Sequence, residues 1–283
     1  MTIPGYTIKT MTRKEIDLAV DWAAAEGWNP GLEDAECFYR TDPEGFLVGL
    51  VGEEPVACIS VVRYGESFGF LGFYIVKPEY RGLGLGLEIW MAGLQRLEGR
   101  IVGLDGVVAQ QENYRKSGFS LAYRNIRYMG VSVQSRENLR DAVPLASIPF
   151  DELAAYDREF FPDDRKSFLQ CWTSRETSRA FGIRQNGKLA GYGLIRPCRS
   201  GFKIGPLFAD TPELAETLFS ALESSVPEGS LIFLDIPKVN PAALELVQRH
   251  RMNVVFETAR MYKGSAPRLP VERIFGVTTF ELG

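Results

Sequence analysis

The feature that most restricts this chain is that its order of elements runs twice. Residues 53–94, "EEPVACISVVRYGESFGFLGFYIVKPEYRGLGLGLEIWMAGL", run parallel to residues 187–222, "GKLAGYGLIRPCRSGFKIGPLFADTPELAETLFSAL". Residues 100–130 run parallel to residues 231–264 in the same way. Leu104-Asp105 answers to Leu234-Asp235, and Arg127-Tyr128 to Arg260-Met261. A repeat on this scale means two copies of one folding unit. Charge, turn residues and Pro144 cluster in "QSRENLRDAVPLASIP", which puts the expected domains at residues 1–135 and 145–283.

The first copy reads clearly. Residues 6–9 look like a strand, and "TRKEIDLAVDWAAAEG" like a helix opened by a Thr12/Glu15 capping box. Ile16, Val20 and Ala23 recur there at helical spacing, and "GWNPG" stops the helix. "LEDAECFYRTD" is a second short helix. Three strands follow, joined by the turns "GEEP" and "GESFG". A helix runs from Gly86 to Leu97, with Leu87, Trp90, Met91 and Leu94 on one apolar face. Then come strand "IVGLDGVV", helix "QQENYRKSG" and strand "AYRNIRYMGVSV". Helices placed between strands predict parallel neighbours and right-handed crossovers. The expected class is α/β (α+β), each half a mixed, mostly antiparallel twisted sheet flanked by helices.

Composition narrows function. The net charge of −4 argues against nucleic-acid binding, which favours basic faces. Four cysteines (Cys37, Cys58, Cys171, Cys198) lie far apart with no Cys-x-x-Cys, suggesting neither a zinc site nor a disulfide framework. No metal is indicated. No targeting signal or apolar run of about 18 residues is visible, so a soluble, cytoplasmic chain is expected. The single histidine, His250, reads as a surface residue.

The stretch "VKPEYRGLGLGLEIW" carries the chemistry. A P-loop needs a Lys-Ser/Thr after its last glycine, and the dinucleotide fingerprint needs Gly-x-Gly-x-x-Gly after a first parallel strand; neither is present. What remains is Arg81-x-x-Gly84-x-Gly86 between a strand and a helix. Either this is only a tight turn, or successive N–H groups at a helix N-terminus converge on an anion.

"VKPEYRGLGLG" resembles the acetyl-CoA signature of the GNAT N-acetyltransferase superfamily, and "NYRKSGF" resembles its later Tyr-x-x-x-Gly-Phe mark, at Tyr114, Gly118 and Phe119. The element order agrees, and the second half is similar to a degenerate copy. The resemblance implies acetyl-CoA as cofactor, its pyrophosphate on Arg81, Gly82, Leu83, Gly84, Leu85 and Gly86. Pantetheine would pair with Ile75, Val76 and Lys77, where a backbone N–H polarises the thioester carbonyl. Tyr114 would protonate the leaving thiolate, unless it is simply a core aromatic. Val107 stands where the family often carries Asn, so Asn113 is the substitute cofactor contact.

The acceptor implied is a small-molecule primary amine, with Trp28, Asn29, Glu33 and Tyr74 as acceptor-side candidates. Trp28 either walls the pocket or packs in the core. Asp105 is the favoured general base if it opens to substrate; otherwise it caps a turn or pairs with an arginine. Glu33, Asp34 and Glu36 are further acids, or else plain solvated charge. The second half lacks the glycine motif, places Asp210 and Glu213 where phosphate would sit, and has Val247 at the tyrosine position. It is expected not to catalyse, but to keep a sheet and shape the acceptor pocket through Tyr192, Arg196 or Phe161. The competing function is an acyl-CoA-binding or sensing protein that performs no transfer. A monomer or homodimer without nucleic-acid or membrane partners is expected.

Overall fold

The computed structural model describes residues 4–134 and 141–283. The first half contains β1 (Tyr6–Thr10), α1 (Arg13–Ala25), α2 (Asp34–Thr41), β2 (Phe46–Val51), β3 (Glu54–Tyr64), β4 (Phe68–Val76), α3 (Leu85–Arg96), β5 (Ile101–Val107), α4 (Gln111–Lys116) and β6 (Phe119–Val131). After the short β7 (Ala142–Pro144) come α5 (Phe150–Asp157), α6 (Lys166–Thr173), β8 (Arg179–Gln185), β9 (Lys188–Pro197), β10 (Phe202–Ala209), α7 (Pro212–Ser224), β11 (Leu231–Pro237), α8 (Pro241–Arg249), β12 (Asn253–Lys263) and β13 (Ile274–Gly276). The expected domain boundary falls partly on residues 135–140, outside the described residues.

Local chemistry sets the elements as the sequence suggests. Thr12 Oγ1 accepts from the Glu15 N–H while Glu15 Oε2 accepts from the Thr12 N–H at 2.8 Å, closing the capping box. β2, β3 and β4 form an antiparallel meander, and α3 carries the chain over to β5, parallel to β4.

The two halves share one sheet, ordered β1-β2-β3-β4-β5-β12-β6-β11-β10-β9-β8-β7 among the described residues. This corrects the expectation that β5 and β6 are neighbours. β12 lies between them, antiparallel to both, and β6 in turn lies between β12 and β11. Each half thus gives its last long strand to the other. Local pattern cannot reveal this, because a strand's hydrophobic alternation does not specify its partner.

Three further expectations change. On α3 the buried residues are Leu85, Ile89, Trp90 and Gly93, whereas Leu87 is 63% and Met91 58% exposed. The helix is rotated because Gly93 lets it approach Val61 and Ile59 of β3. Cys37 and Cys171 form a disulfide across the α2–α6 contact, at a Cα–Cα distance of 5.4 Å, although 134 residues separate them in sequence. Cys58 and Cys198 are free and buried. His250 is partly buried, its Nε2 2.5 Å from Glu216 Oε1 and its ring 4.1 Å from that of Phe219.

An aromatic core joins the halves beneath the sheet: Phe38 stacks on Trp172, and Phe161 meets Tyr64 and Phe68 edge-on. Among the described residues no helix is long and apolar enough to cross a membrane.

Candidate active site

β4 and β5 stay paired only from Phe68↔Ile101 to Leu71↔Leu104, then separate. The divergence begins at a bulge in β4. Phe73 takes a left-handed φ of 45°, and the β3–β4 register shifts between Ser60↔Gly72 and Cys58↔Ile75. Its ring is buried and held edge-on by Phe38 at 5.7 Å, which stabilises a backbone state that costs a non-glycine residue about 1–3 kcal/mol. A cleft of ≈ 480 Å³ occupies the gap.

Beyond the bulge the pairing pattern decides which backbone groups face the cleft. The Lys77 N–H donates to Val56 O at 2.9 Å, so 77 and 56 are a hydrogen-bonded pair. In an antiparallel ladder the adjacent Val76↔Ala57 pair then turns its polar groups outward. Of the three residues expected along the thioester tail, Val76 presents its backbone to the cleft, while Ile75 and Lys77 turn theirs to β3. The Val76 carbonyl accepts from Arg81 Nε at 2.8 Å.

The glycine turn closes one end. Gly84 is the N-cap of α3 at φ 88°, a left-handed conformation that suits glycine, and it offers no side-chain cap. The first N–H groups of α3, at Leu85 and Gly86, therefore have no partner within the helix. A Cβ at Gly86 would lie 2.7 Å from Tyr74 Oη and 3.1 Å from Val76 Cγ2, so a side chain there would press on β4 and displace the Tyr74 tip. A Cβ at Gly82 would meet nothing within 4 Å: the space before the turn is open. Arg81 reaches across the mouth to Glu26 at 2.5 Å.

Tyr114 faces the same cleft from α4. Its ring stacks on Trp90 at 5.4 Å and packs over Gly106, where a Cβ would come within 2.2 Å of it. Burial pushes its phenol well above the usual tyrosine value, with the nearby Tyr74 adding to the effect. The group is a neutral proton donor near pH 7. Trp28 and Tyr74 also line the cleft, Tyr74 on the α3 side 5.1 Å from Trp90.

Asp105 lines the cleft but is not free. Arg260 grips it through Nε at 2.9 Å and Nη2 at 2.5 Å, and Asn125 Nδ2 donates to it at 2.8 Å. Burial pushes its carboxyl up, and Arg260 and Asn125 pull it back. Of the readings left open by the sequence, pairing with an arginine is the one observed.

Other candidates lie elsewhere. Asn113 is exposed and donates to Gln110 Oε1 at 2.7 Å, because the residue before a buried Tyr114 lies on the helix's outer side. Glu33 is exposed and accepts from Thr177 at 2.6 Å. Asn29 bonds the backbone of Ser200, tying the α1–α2 loop to the β9–β10 turn. Asp34 is fully buried between Arg196 and Arg175 rather than solvated. Glu36 pairs with Arg13 and Arg40 on the surface. Tyr192, Arg196 and Phe161 are buried structural groups: Tyr192 binds Asp157, Arg196 binds Asp34, and Phe161 packs on Tyr64.

Sequence reasoning missed what the second half does contribute. Phe256 and Thr258 of β12, with Phe280 and Glu281 of the C-terminal tail, line the cleft. The strand exchange brings in the first two. The tail crosses at the bulge, where a Cβ on Gly72 would stand 2.1 Å from Glu281 O. Phe256 and Thr258 have repeat partners on β6, but the repeat does not say which cleft they enter, and Phe280 and Glu281 lie beyond it.

Among the described residues of the second half, the equivalent gap is filled rather than open. β13 pairs with β10, and the Val277 N–H donates to Asp235 O, so the tail fills the gap where β10 and β11 part. There Thr211 caps α7 by accepting from the Leu214 N–H, and Asp210 is held by Arg273 and Tyr156. The turn that answers to Gly82–Gly86 is therefore capped by a side chain instead of left bare.

An open cleft with amide turn, strand edge and phenol, beside a blocked copy of itself, describes an acyl-transfer fold in tandem. Residues 14–119 match the acetyltransferase (GNAT) family and residues 153–276 match an acetyltransferase (GNAT) domain. A Pseudoalteromonas protein named holothin acyltransferase is 32% identical over 278 residues, covering 98% of this chain and 95% of its own. The chain belongs to the GNAT acyltransferase family. The structure of a Pyrococcus horikoshii protein assigned as an acetyltransferase is 25% identical and superposes with a TM-score of 0.85, over 100% of this chain and 98% of that one. A tandem GNAT protein of the clavulanic acid pathway shares the fold, at 14% identity and a TM-score of 0.62, over 93% of this chain and 99% of that one.

Proposed function

We propose that this acyltransferase moves an acetyl group from acetyl-CoA to the primary amine of a small molecule. The observation that carries the reading is that three devices open on one cleft: the uncapped turn Gly82–Gly86, the Val76 backbone and the Tyr114 phenol. These residues fit a coenzyme A thioester. The amides and the positive end of α3 suit a diphosphate, and Arg81 can exchange Glu26 for phosphate. The outward Val76 N–H suits an extended pantetheine. A bound thioester supplies an activated acyl carbon and a sulfur leaving group. Tyr114 gives its proton to the departing sulfur, and Trp90 holds its ring in place. Trp28, Phe256 and Phe280 wall the acceptor end and keep it dry.

The Pseudoalteromonas relative's name gives holothin as the compound acylated, which makes holothin the first acceptor to try. The test is thiol release from acetyl-CoA across a panel of primary amines, with wild type and Tyr114→Phe compared. Amine-dependent release that falls in the variant supports the reading. Tight coenzyme A binding with no amine-dependent release points instead to a sensing protein.

A further inference from the structure

Three acidic residues line the cleft: Glu26, Asp105 and Glu281. Glu26 stands at the mouth, paired with Arg81. Asp105 has both oxygens engaged by Arg260 and Asn125. Glu281 differs. Among the described residues its carboxylate has one hydrogen-bond partner, the Thr279 hydroxyl, which donates to Oε2. The tail that carries it is fixed at several points. Tyr64 Oη donates to Leu282 O at 3.0 Å, Arg165 Nη1 donates to Gly283 O at 3.3 Å, and the Gly283 N–H donates to Thr279 O at 3.1 Å. Its main chain touches β4 at Gly72, where the cleft begins.

We propose that Glu281, carried on the C-terminal tail of the non-catalytic half, is the group that binds the acceptor's ammonium and takes its proton. The inference rests on the acetyl-transfer reading. Glu281 removes one proton from R–NH₃⁺ and later passes it to water. The freed nitrogen lone pair forms the C–N bond at the thioester carbon, the C–S bond breaks, and the sulfur takes the Tyr114 proton. The nitrogen's second proton returns through water to the Tyr114 phenolate. The sum is ammonium plus thioester giving amide, thiol and one released proton, with no oxidant or reductant.

The charged groups facing Glu281 are Arg127 from β6, Arg196 from β9 and Lys203 from β10. Arg127 is forked onto Asp235 and Arg196 onto Asp34, while Lys203 Nζ donates to Asn29 O at 2.8 Å. Asp235 thus balances Arg127, while Arg196 shares the single carboxylate of Asp34 with Arg175.

The test uses the full chain with Glu281→Gln and Glu281→Asp. Coenzyme A affinity, measured by calorimetry, should stay within about twofold of wild type. Binding of phenethylammonium to coenzyme A-loaded protein should weaken at least tenfold in Glu281→Gln. Acetyl transfer to phenethylamine at pH 7 should fall by about 10²–10³-fold, and the deficit should shrink as pH rises and the amine deprotonates in solution. Glu281→Asp should fall between the two. A purely structural role would not produce the high-pH recovery. Glu281→Gln that keeps both ammonium binding and pH 7 transfer within twofold overturns the proposal. If wild type releases no thiol with any amine, the transfer reading fails, and the ammonium-binding arm still decides the role of Glu281.

Discussion

Arg260 grips Asp105 as its direct cross-strand partner, although 155 residues of chain separate them. The repeat-related pair does the same in mirror order: Arg127 of β6 forks onto Asp235 of β11, at 2.6 and 2.7 Å. Each aspartate from one half is held by the arginine of the other. Between them Asn125 and Thr258 face each other across β6 and β12, marking the local two-fold centre of the exchange.

These pairs predict unequal mutational costs. Asp235→Ala leaves Arg127 buried without its carboxylate and should lose about 3–5 kcal/mol. Replacing both partners by leucine should cost much less, since two apolar groups need no partner. Urea titration of the single and double variants checks this. Equal losses in both would contradict it.

Tyr114→Phe keeps the ring that stacks on Trp90 and should melt within a few degrees of wild type. Transfer should fall by about 10²–10⁴-fold with coenzyme A affinity unchanged. Because burial raises the phenol above its ordinary value of 10.0, wild type should show no loss of the acid from pH 7 to 10. A pH–rate profile with a tyrosine limb within that range would count against the assignment.

Calorimetry should find one coenzyme A per chain, since β13 fills the second-half gap. Gly84→Ala, forced to φ 88°, should cost about 1–2 kcal/mol of stability, and Gly86→Val should abolish coenzyme A binding. A stoichiometry of two would refute the blocked second half.

Acid should loosen the contact between the halves through Asp34. Burial pushes its pKa up, but Arg196 and Arg175 outweigh that and hold it at about 2, below the ordinary 3.8. A depressed carboxylate stabilises fully above its unfolded pKa and less as pH falls through the folded one. On the order of 2 kcal/mol should therefore disappear between about pH 4 and pH 2, and the loss should be absent in Asp34→Asn. Acid titration followed by tryptophan fluorescence, with Trp172 beside both arginines, measures it.

The Cys37–Cys171 disulfide crosses from α2 to α6. Reduction, or Cys37→Ser, should lower stability by about 2–4 kcal/mol while leaving coenzyme A affinity intact. Thermal melts with and without reductant test this.

Helix caps, hairpin turns and the glycine turn were legible because each is written in residues a few positions apart. Thr12 and Glu15 close their box through neighbouring backbone, and Gly84 takes a φ that glycine alone reaches cheaply. Tyr114 was readable for a similar reason, lying on a short helix one turn past the strand that borders the cleft. The repeat disclosed two copies of one unit, and even its marker residues, Asp105, Arg127, Asp235 and Arg260. Which marker holds which was decided in three dimensions. Strand pairing buries hydrogen bonds and charges between segments distant in sequence, and nothing local distinguishes a partner in one copy from its equivalent in the other. The disulfide and the arrival of Glu281 in the cleft depend on distances between the halves, which only the folded sheet sets. The buried face of α3 depends on its approach to β3 at Gly93, a packing contact that helical spacing alone does not specify.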